Sequence, residues 1–152
     1  MERIASFQVD HNQLVPGLYL SRRDGDITTF DLRFKKPNTD DLLTNAEMHS
    51  VEHVVATLLR NSRAKDAVIY FGPMGCQTGF YFLFDSRRLT DGEAVELIKE
   101  TFAAGAAFSG PMPGKSPVEC GNYINLDLEL AKTQCAAYSE RIQNWTAEQL
   151  AY

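Results

Sequence analysis

Two of the three histidines in this chain, His49 and His53, are four residues apart in the segment H-S-V-E-H at 49–53. Four residues is slightly more than one helical turn, so on a helix both imidazoles leave the same face and can grip one metal ion. Glu52 lies between them on that face. A carboxylate beside a metal serves as a general acid/base only while it stays unligated, so Glu52 is read as a proton shuttle, or as a carboxylate that orients the ligands, rather than as a ligand itself. The competing reading is a solvated polar helix face. Three cysteines extend the inventory. Cys120, in E-C-G-N-Y, offers a thiolate as third ligand to a borderline-soft ion, leaving one of about four positions open. Cys76 lies in a Gly-rich turn, where a thiol near a cation becomes a base or nucleophile. For both, the competing reading is a packed thiol. Cys135 falls on an apolar helical stripe and is read as core.

The order H-x-x-E-H is also the signature of inverted zinc peptidases, in which the glutamate activates a metal-bound water. Two further residues are ambiguous alone. His11 follows Asp10 at the end of a short segment. Arg33 alternates with Leu32 and Phe34, and the default for such a residue is a charge facing solvent.

The elements that must position these groups follow from periodicity. Residues 3–9 are expected to form a first strand. Strand-like runs at 17–23 and 27–34 flank Asp24-Gly25, a hairpin turn signal. Thr44 and Glu47 form a capping box that opens a helix over about 45–61, with Met48, Val51, Val55 and Leu58 as its apolar stripe. His49, Glu52, His53 and the small Ala56 fall opposite that stripe. Apolar runs at 67–72 and 80–84 enclose the turn that carries Cys76. A second box, Thr90 with Glu93, opens a helix to about 104 whose core side includes Val95, Ile98 and Phe102. Residues 105–121 are irregular and hold Pro111, Pro113 and Pro117, three of the six prolines. A stretch of that length in a small domain is often functional. The last long helix, over about 126–143, buries Leu128, Ala131, Cys135, Tyr138 and Ile142. Hairpins interleaved with helices predict an α+β fold, an antiparallel sheet with helices on one face.

Composition narrows the function classes. A chain of 152 residues fits a single catalytic domain over 1–152. It can bury about 70% of its unfolded surface and needs no disulfide to fold. The net charge of -5 and scattered basic residues argue against nucleic acid. No apolar run reaches the length of a membrane span. The first ten residues hold no apolar signal-peptide core, and an odd cysteine count suits reduced thiols; the expectation is a cytoplasmic protein.

Five segments in this order and spacing are highly specific: S-F-x-x-D-H-N at 6–12, F-D-L-R-F at 30–34, H-S-V-E-H at 49–53, P-M-G-C-Q-T-G-F-Y at 73–81 and C-G-N-Y at 120–123. Together they resemble the S-ribosylhomocysteine lyase (LuxS) family over nearly the whole chain. The resemblance implies a LuxS/inverted-zincin-like metalloenzyme fold and a cytoplasmic homodimer with active sites at the subunit interface. It implies cleavage of S-ribosylhomocysteine to homocysteine and 4,5-dihydroxy-2,3-pentanedione, the autoinducer-2 precursor. It also implies one divalent ion per subunit on His49, His53 and Cys120, natively ferrous iron and replaceable by zinc or cobalt. Cys76 and Glu52 match the acid/base pair. Ser6, His11 and Arg33 match substrate-pocket positions, contributed partly across the dimer.

The chain departs from the family at one place. Tyr70-Phe71-Gly72 stands where the family usually has an acid, an apolar residue and a serine before P-M-G-C. That removes a carboxylate from the pocket wall and leaves the metal ligands and both proton shuttles untouched. Two rival readings remain on sequence alone: an inverted-zincin-type metallopeptidase, and a metal-binding homologue that has lost catalysis.

Overall fold

Alternating apolar and polar residues fold into two hairpins in a computed structural model that describes all 152 residues. The first joins β1 (Gly17–Asp24) to β2 (Ile27–Arg33), with Gly25 at φ 60° in the turn. A glycine takes that left-handed conformation without steric cost. The second joins β3 (Val68–Pro73) to β4 (Gly79–Asp85). β2 and β4 also pair antiparallel, giving one sheet of order β1-β2-β4-β3. This puts the F-D-L-R strand in register with the strand that follows the Cys76 turn, with Arg33 opposite Gly79 and Asp31 opposite Tyr81.

Three helices cover one face: α1 (Asn45–Arg60), α2 (Asp91–Ala106) and α3 (Leu128–Ile142). Both predicted capping boxes close, Thr44 with Glu47 and Thr90 with Glu93. The shared core contains Phe30, Leu32, Phe80, Phe82 and Phe84 from the sheet, and Val51, Val55, Ile98, Phe102 and Tyr138 from the helices. Removing a buried phenylalanine of this kind from water contributes about 2–3 kcal/mol. The α+β architecture with an antiparallel sheet and helices on one face is therefore observed. No helix is long and apolar enough to cross a membrane.

Three sequence expectations need correction. Residues 3–9 do not form a strand; Ala5–Phe7 is a single 3-10 turn. The segment closes on itself, with the Arg3 guanidinium on the Phe7 carbonyl and the Gln8 amide on the Arg3 carbonyl. Ile4 and Phe7 stay exposed, so no core pulls the segment into a sheet. Second, the buried stripe of α1 is Val51, Val54, Val55 and Leu59, while Leu58 is only half-buried. The helix is rotated slightly because Ser50 is also buried, bonded to the start of α3. Third, Arg33 does not face solvent. The second face of the sheet is polar, yet Asp31 and Arg33 are 1% and 3% exposed. Tyr152 stacks on Tyr19 there, with ring centroids 5.1 Å apart, and its hydroxyl donates to Asp31 at 2.7 Å.

Candidate active site

Helical spacing puts His49 and His53 one above the other on the face of α1 opposite its core stripe. Their rings are perpendicular, with centroids 4.6 Å apart. The irregular segment between α2 and α3 folds back over this face. It meets α1 at three points. The Pro113 carbonyl lies 2.9 Å from His53 Nδ1, Asn125 Oδ1 lies 2.6 Å from His49 Nδ1, and the Asp127 amide donates to Ser50 Oγ at 2.9 Å. Both carbonyl oxygens can only accept, so each Nδ1 carries a proton, and the neutral ring then offers its Nε2 lone pair to a cation. Gly114, at φ 69°, is required here, because a Cβ would strike the His53 ring at 2.8 Å.

The same segment delivers Cys120. Its backbone amide bonds to the Ser116 carbonyl, and its Sγ sits 3.3 Å from His49 Nε2. Ligand atoms of His49, His53 and Cys120 all lie within 4.8 Å of one another. Nitrogen and sulfur ligands of one tetrahedral cation stand about 3.5 Å apart, so the trio fits a divalent metal. The Asn122 amide also donates to the sulfur, at 3.4 Å. The three residues singled out as ligands are thus brought together. Glu52 is not one of the cluster. It lines an adjoining cavity of about 230 Å³ with His53, Ala56, Thr57, Pro113 and Gly114, next to the ligands but free of them.

Cys76 is built differently. It is exposed, in the turn between β3 and β4. Gln77 beside it has φ 65°, a left-handed conformation that costs a non-glycine residue about 1–2 kcal/mol. Two hydrogen bonds with Leu43, one through the backbone and one through the Gln77 side-chain amide, offset that cost and tie the turn to the segment before α1. Cys76 shares a cavity of about 270 Å³ with His11, Asn38 and Thr78. His11 is oriented by the Val9 carbonyl at 2.8 Å. Beneath the thiol, Arg33 reaches Thr78 Oγ1 at 2.7 Å and approaches Cys76 Sγ at 4.0 Å. Its other terminal nitrogen pairs with Asp31 at 2.5 Å. Burial works against the Arg33 charge, but the Asp31 carboxylate outweighs burial and holds the guanidinium firmly protonated.

A family profile described as S-ribosylhomocysteinase (LuxS) matches residues 4–149. The chain belongs to that family. Among its relatives, a protein named S-ribosylhomocysteine lyase in Desulfotalea psychrophila is 46% identical, the alignment covering all of this chain and 99% of the relative. Proteins of the same name in Finegoldia magna and Borreliella burgdorferi are 43% and 41% identical over the same shares.

Within this LuxS-family chain, Ser6 stands apart from the other expected substrate residues. It lines a third cavity of about 290 Å³ with Ser21, Arg22, Thr29, Tyr70 and Tyr81. Of the departure at Tyr70-Phe71-Gly72, Tyr70 lies on the wall of that cavity, while Phe71 packs in the core. The two changed ends of the segment form one unit. The Tyr70 phenol lies over Gly72, and any side chain at 72 would collide with it. Cys135 is fully buried, and burial pushes its thiol up to about 12, as expected of a core residue.

Sequence reading missed Thr78, Asn125, Ser50 and Tyr152. Thr78 and Ser50 lie inside recognised motifs and were legible as candidates. Asn125 and Tyr152 act across 76 and 121 residues of chain, and no local pattern announces such contacts.

Proposed function

We propose that this chain cleaves the thioether of S-ribosylhomocysteine, releasing homocysteine and 4,5-dihydroxy-2,3-pentanedione by carbonyl migration and β-elimination. The observation that carries the reading is the convergence of His49, His53 and Cys120 in a chain belonging to the LuxS family over residues 4–149. The three side chains would hold one divalent ion, ferrous iron in the native enzyme, with zinc or cobalt as replacements. The ion supplies Lewis-acid polarisation of a sugar carbonyl or hydroxyl oxygen when bound.

The rest of the chemistry falls to the chain's own groups. Cys76, as thiolate, takes the proton beside the carbonyl and returns it one carbon along. Two such transfers bring the carbonyl β to the sulfur. A last proton abstraction breaks the carbon–sulfur bond, and the electron pair leaves on homocysteine sulfur. Glu52, free of the ligand cluster, protonates that leaving thiolate or serves the opposite face of the sugar. His11 contacts substrate on the Cys76 side, with the buried Arg33 acting there from beneath the thiol, and Ser6 contacts it at the cavity it shares with Tyr70.

Two copies of the chain make the active sites. In support, the Glu52–His53 cavity and the His11–Cys76 cavity share no lining residue. A homodimer would join the metal half of one protomer to the thiol half of the other. We place this single catalytic domain, residues 1–152, in the cytoplasm, with its second product available as a signal precursor. Peptide hydrolysis gains nothing here, since a thiol stands where an inverted-zincin peptidase uses a carboxylate ligand.

The deciding experiment is an anaerobic thiol-release assay on S-ribosylhomocysteine with metal analysis of the same sample. Metal-loaded protein should release one homocysteine per substrate. A fully loaded sample without thiol release would overturn the assignment.

A further inference from the structure

Thr78 lies between Arg33 and Cys76, and the direction of its hydrogen bond with Arg33 is fixed by chemistry. Arg33 Nη1 has no lone pair to offer, so at 2.7 Å it donates and Thr78 Oγ1 accepts. The single hydroxyl hydrogen of Thr78 is then free to point at the other neighbour, Cys76 Sγ, at 3.0 Å. The threonine cannot drift from this position. It is 2% exposed, and its carbonyl accepts the amides of Phe34 and Lys35 at 2.9 and 3.0 Å. Arg33 is fixed in turn by Asp31, whose same oxygen takes the Tyr152 hydroxyl.

We propose that Thr78 is a positioning residue that relays the Arg33 charge to Cys76 and holds the thiol ready as thiolate, with Tyr152 as the far end of the same hydrogen-bonded chain. The displaced proton leaves to solvent, since Cys76 is exposed. A hydroxyl that already accepts from a guanidinium is polarised and donates more strongly to an anion than to a neutral thiol. Tyr152 shares the negative charge of Asp31. Without its hydroxyl, Asp31 is left to Arg33 alone and draws the guanidinium away from the sulfur. Other titratable groups facing this network are His11 across the Cys76 cavity, Tyr81 on β4, Tyr19 on β1 and Tyr138 on α3. Arg33 and Thr78 are the side chains within hydrogen-bond distance of the sulfur, at 4.0 and 3.0 Å.

The importance of this relay for turnover rests on Cys76 acting as the base proposed above. Its test does not. The rate of Cys76 alkylation by iodoacetamide is measured against pH on the intact, metal-loaded protein and read at the Cys76 peptide by mass spectrometry. The sulfur–carbon bond forms from the thiolate and iodide leaves. On the acid limb of the profile, Thr78→Val should slow alkylation about tenfold, with no change on the alkaline plateau. Thr78→Ser should stay within about 2-fold of wild type, and Tyr152→Phe should slow the acid limb about 3-fold. Wild-type acid limbs in Thr78→Val and Tyr152→Phe would overturn the proposal. So would an equal slowing at every pH, which marks changed access rather than changed ionisation. If Thr78→Val does not fold, the acid limb of Tyr152→Phe decides alone. Because alkylation needs no substrate, an absent homocysteine release and an unaltered alkylation profile are separate failures.

Discussion

The metal end and the thiol end of this molecule are stabilised by opposite means. At the metal end, each histidine is oriented by one neutral carbonyl oxygen from a loop, Asn125 for His49 and Pro113 for His53. The surroundings are partly open, and the groups are ordered by helical spacing and backbone geometry. At the thiol end, Cys76 itself is exposed, but its support is a buried ion pair in which Asp31 and Arg33 are almost fully out of water. In the proposed reaction a cation takes the Nε2 atoms that the carbonyl acceptors leave facing Cys120. The thiol end is proposed to work as a thiolate. A loop of carbonyl acceptors suits the first task, and a fixed buried cation suits the second.

Replacing groups at each end should separate these roles. Cys76→Ala should lower homocysteine release by about 10³-fold or more while metal content stays stoichiometric; Cys120→Ala should lose the metal itself. Full activity in the first or wild-type metal affinity in the second would remove that residue from its role. The next largest effect belongs to the thiol end. Asp31→Asn leaves Arg33 buried without its counter-charge and should cost about 3–5 kcal/mol in a urea unfolding series. At the metal end the matching change is mild for the fold. Asn125→Ala should weaken metal affinity about 10–100-fold and leave unfolding nearly unchanged. If Asn125→Ala destabilised the fold as much as Asp31→Asn, the contrast between the ends would fail.

Smaller effects sharpen the same contrast. Gly72→Ser should displace the half-exposed Tyr70 phenol at a cost of about 1 kcal/mol or less, and Tyr70→Ala should relieve most of that loss in a double-mutant cycle. Additive costs would show that the two positions do not act as a unit. The pH dependence is set by the phenol over the ion pair. Burial, then the Asp31 charge, raises the Tyr152 phenol well above its ordinary range. The folded protein therefore keeps a proton that the unfolded chain loses above about pH 10. The stability tied to this group is full below that pH and is lost as pH rises further. Thermal unfolding from pH 8 to 11 should show a falling Tm in the wild type and a shallower fall in Tyr152→Phe.

The metal end was largely legible in the sequence. Helical periodicity alone places His49 and His53 together, and Cys120 is one of few soft ligands available to join them. The four strands and three helices were also legible, because capping boxes and turn signals are local. The thiol end was not. Arg33 alternates like any solvent-facing strand residue, and only the tyrosines that cover it, from β1, β4 and residue 152, reveal that it is buried. Residues 3–9 have strand-like composition but lack a strand partner, and their short apolar run closes into a turn instead. The resemblance groups Ser6 with His11 and Arg33, yet in one chain Ser6 lines a cavity shared with Tyr70, apart from the one that His11 shares with Cys76.

In the proposed homodimer the two ends meet across the subunit interface, and complementation tests this most directly. Cys76→Ala and Cys120→Ala proteins, each inactive alone, are unfolded together, refolded with metal and assayed for homocysteine release. Shared sites predict about a quarter of wild-type activity, since about half of randomly paired dimers are mixed and each holds one complete site. Activity that stays at the level of the separate variants, in samples where mixed dimers are demonstrably present, would contradict the account.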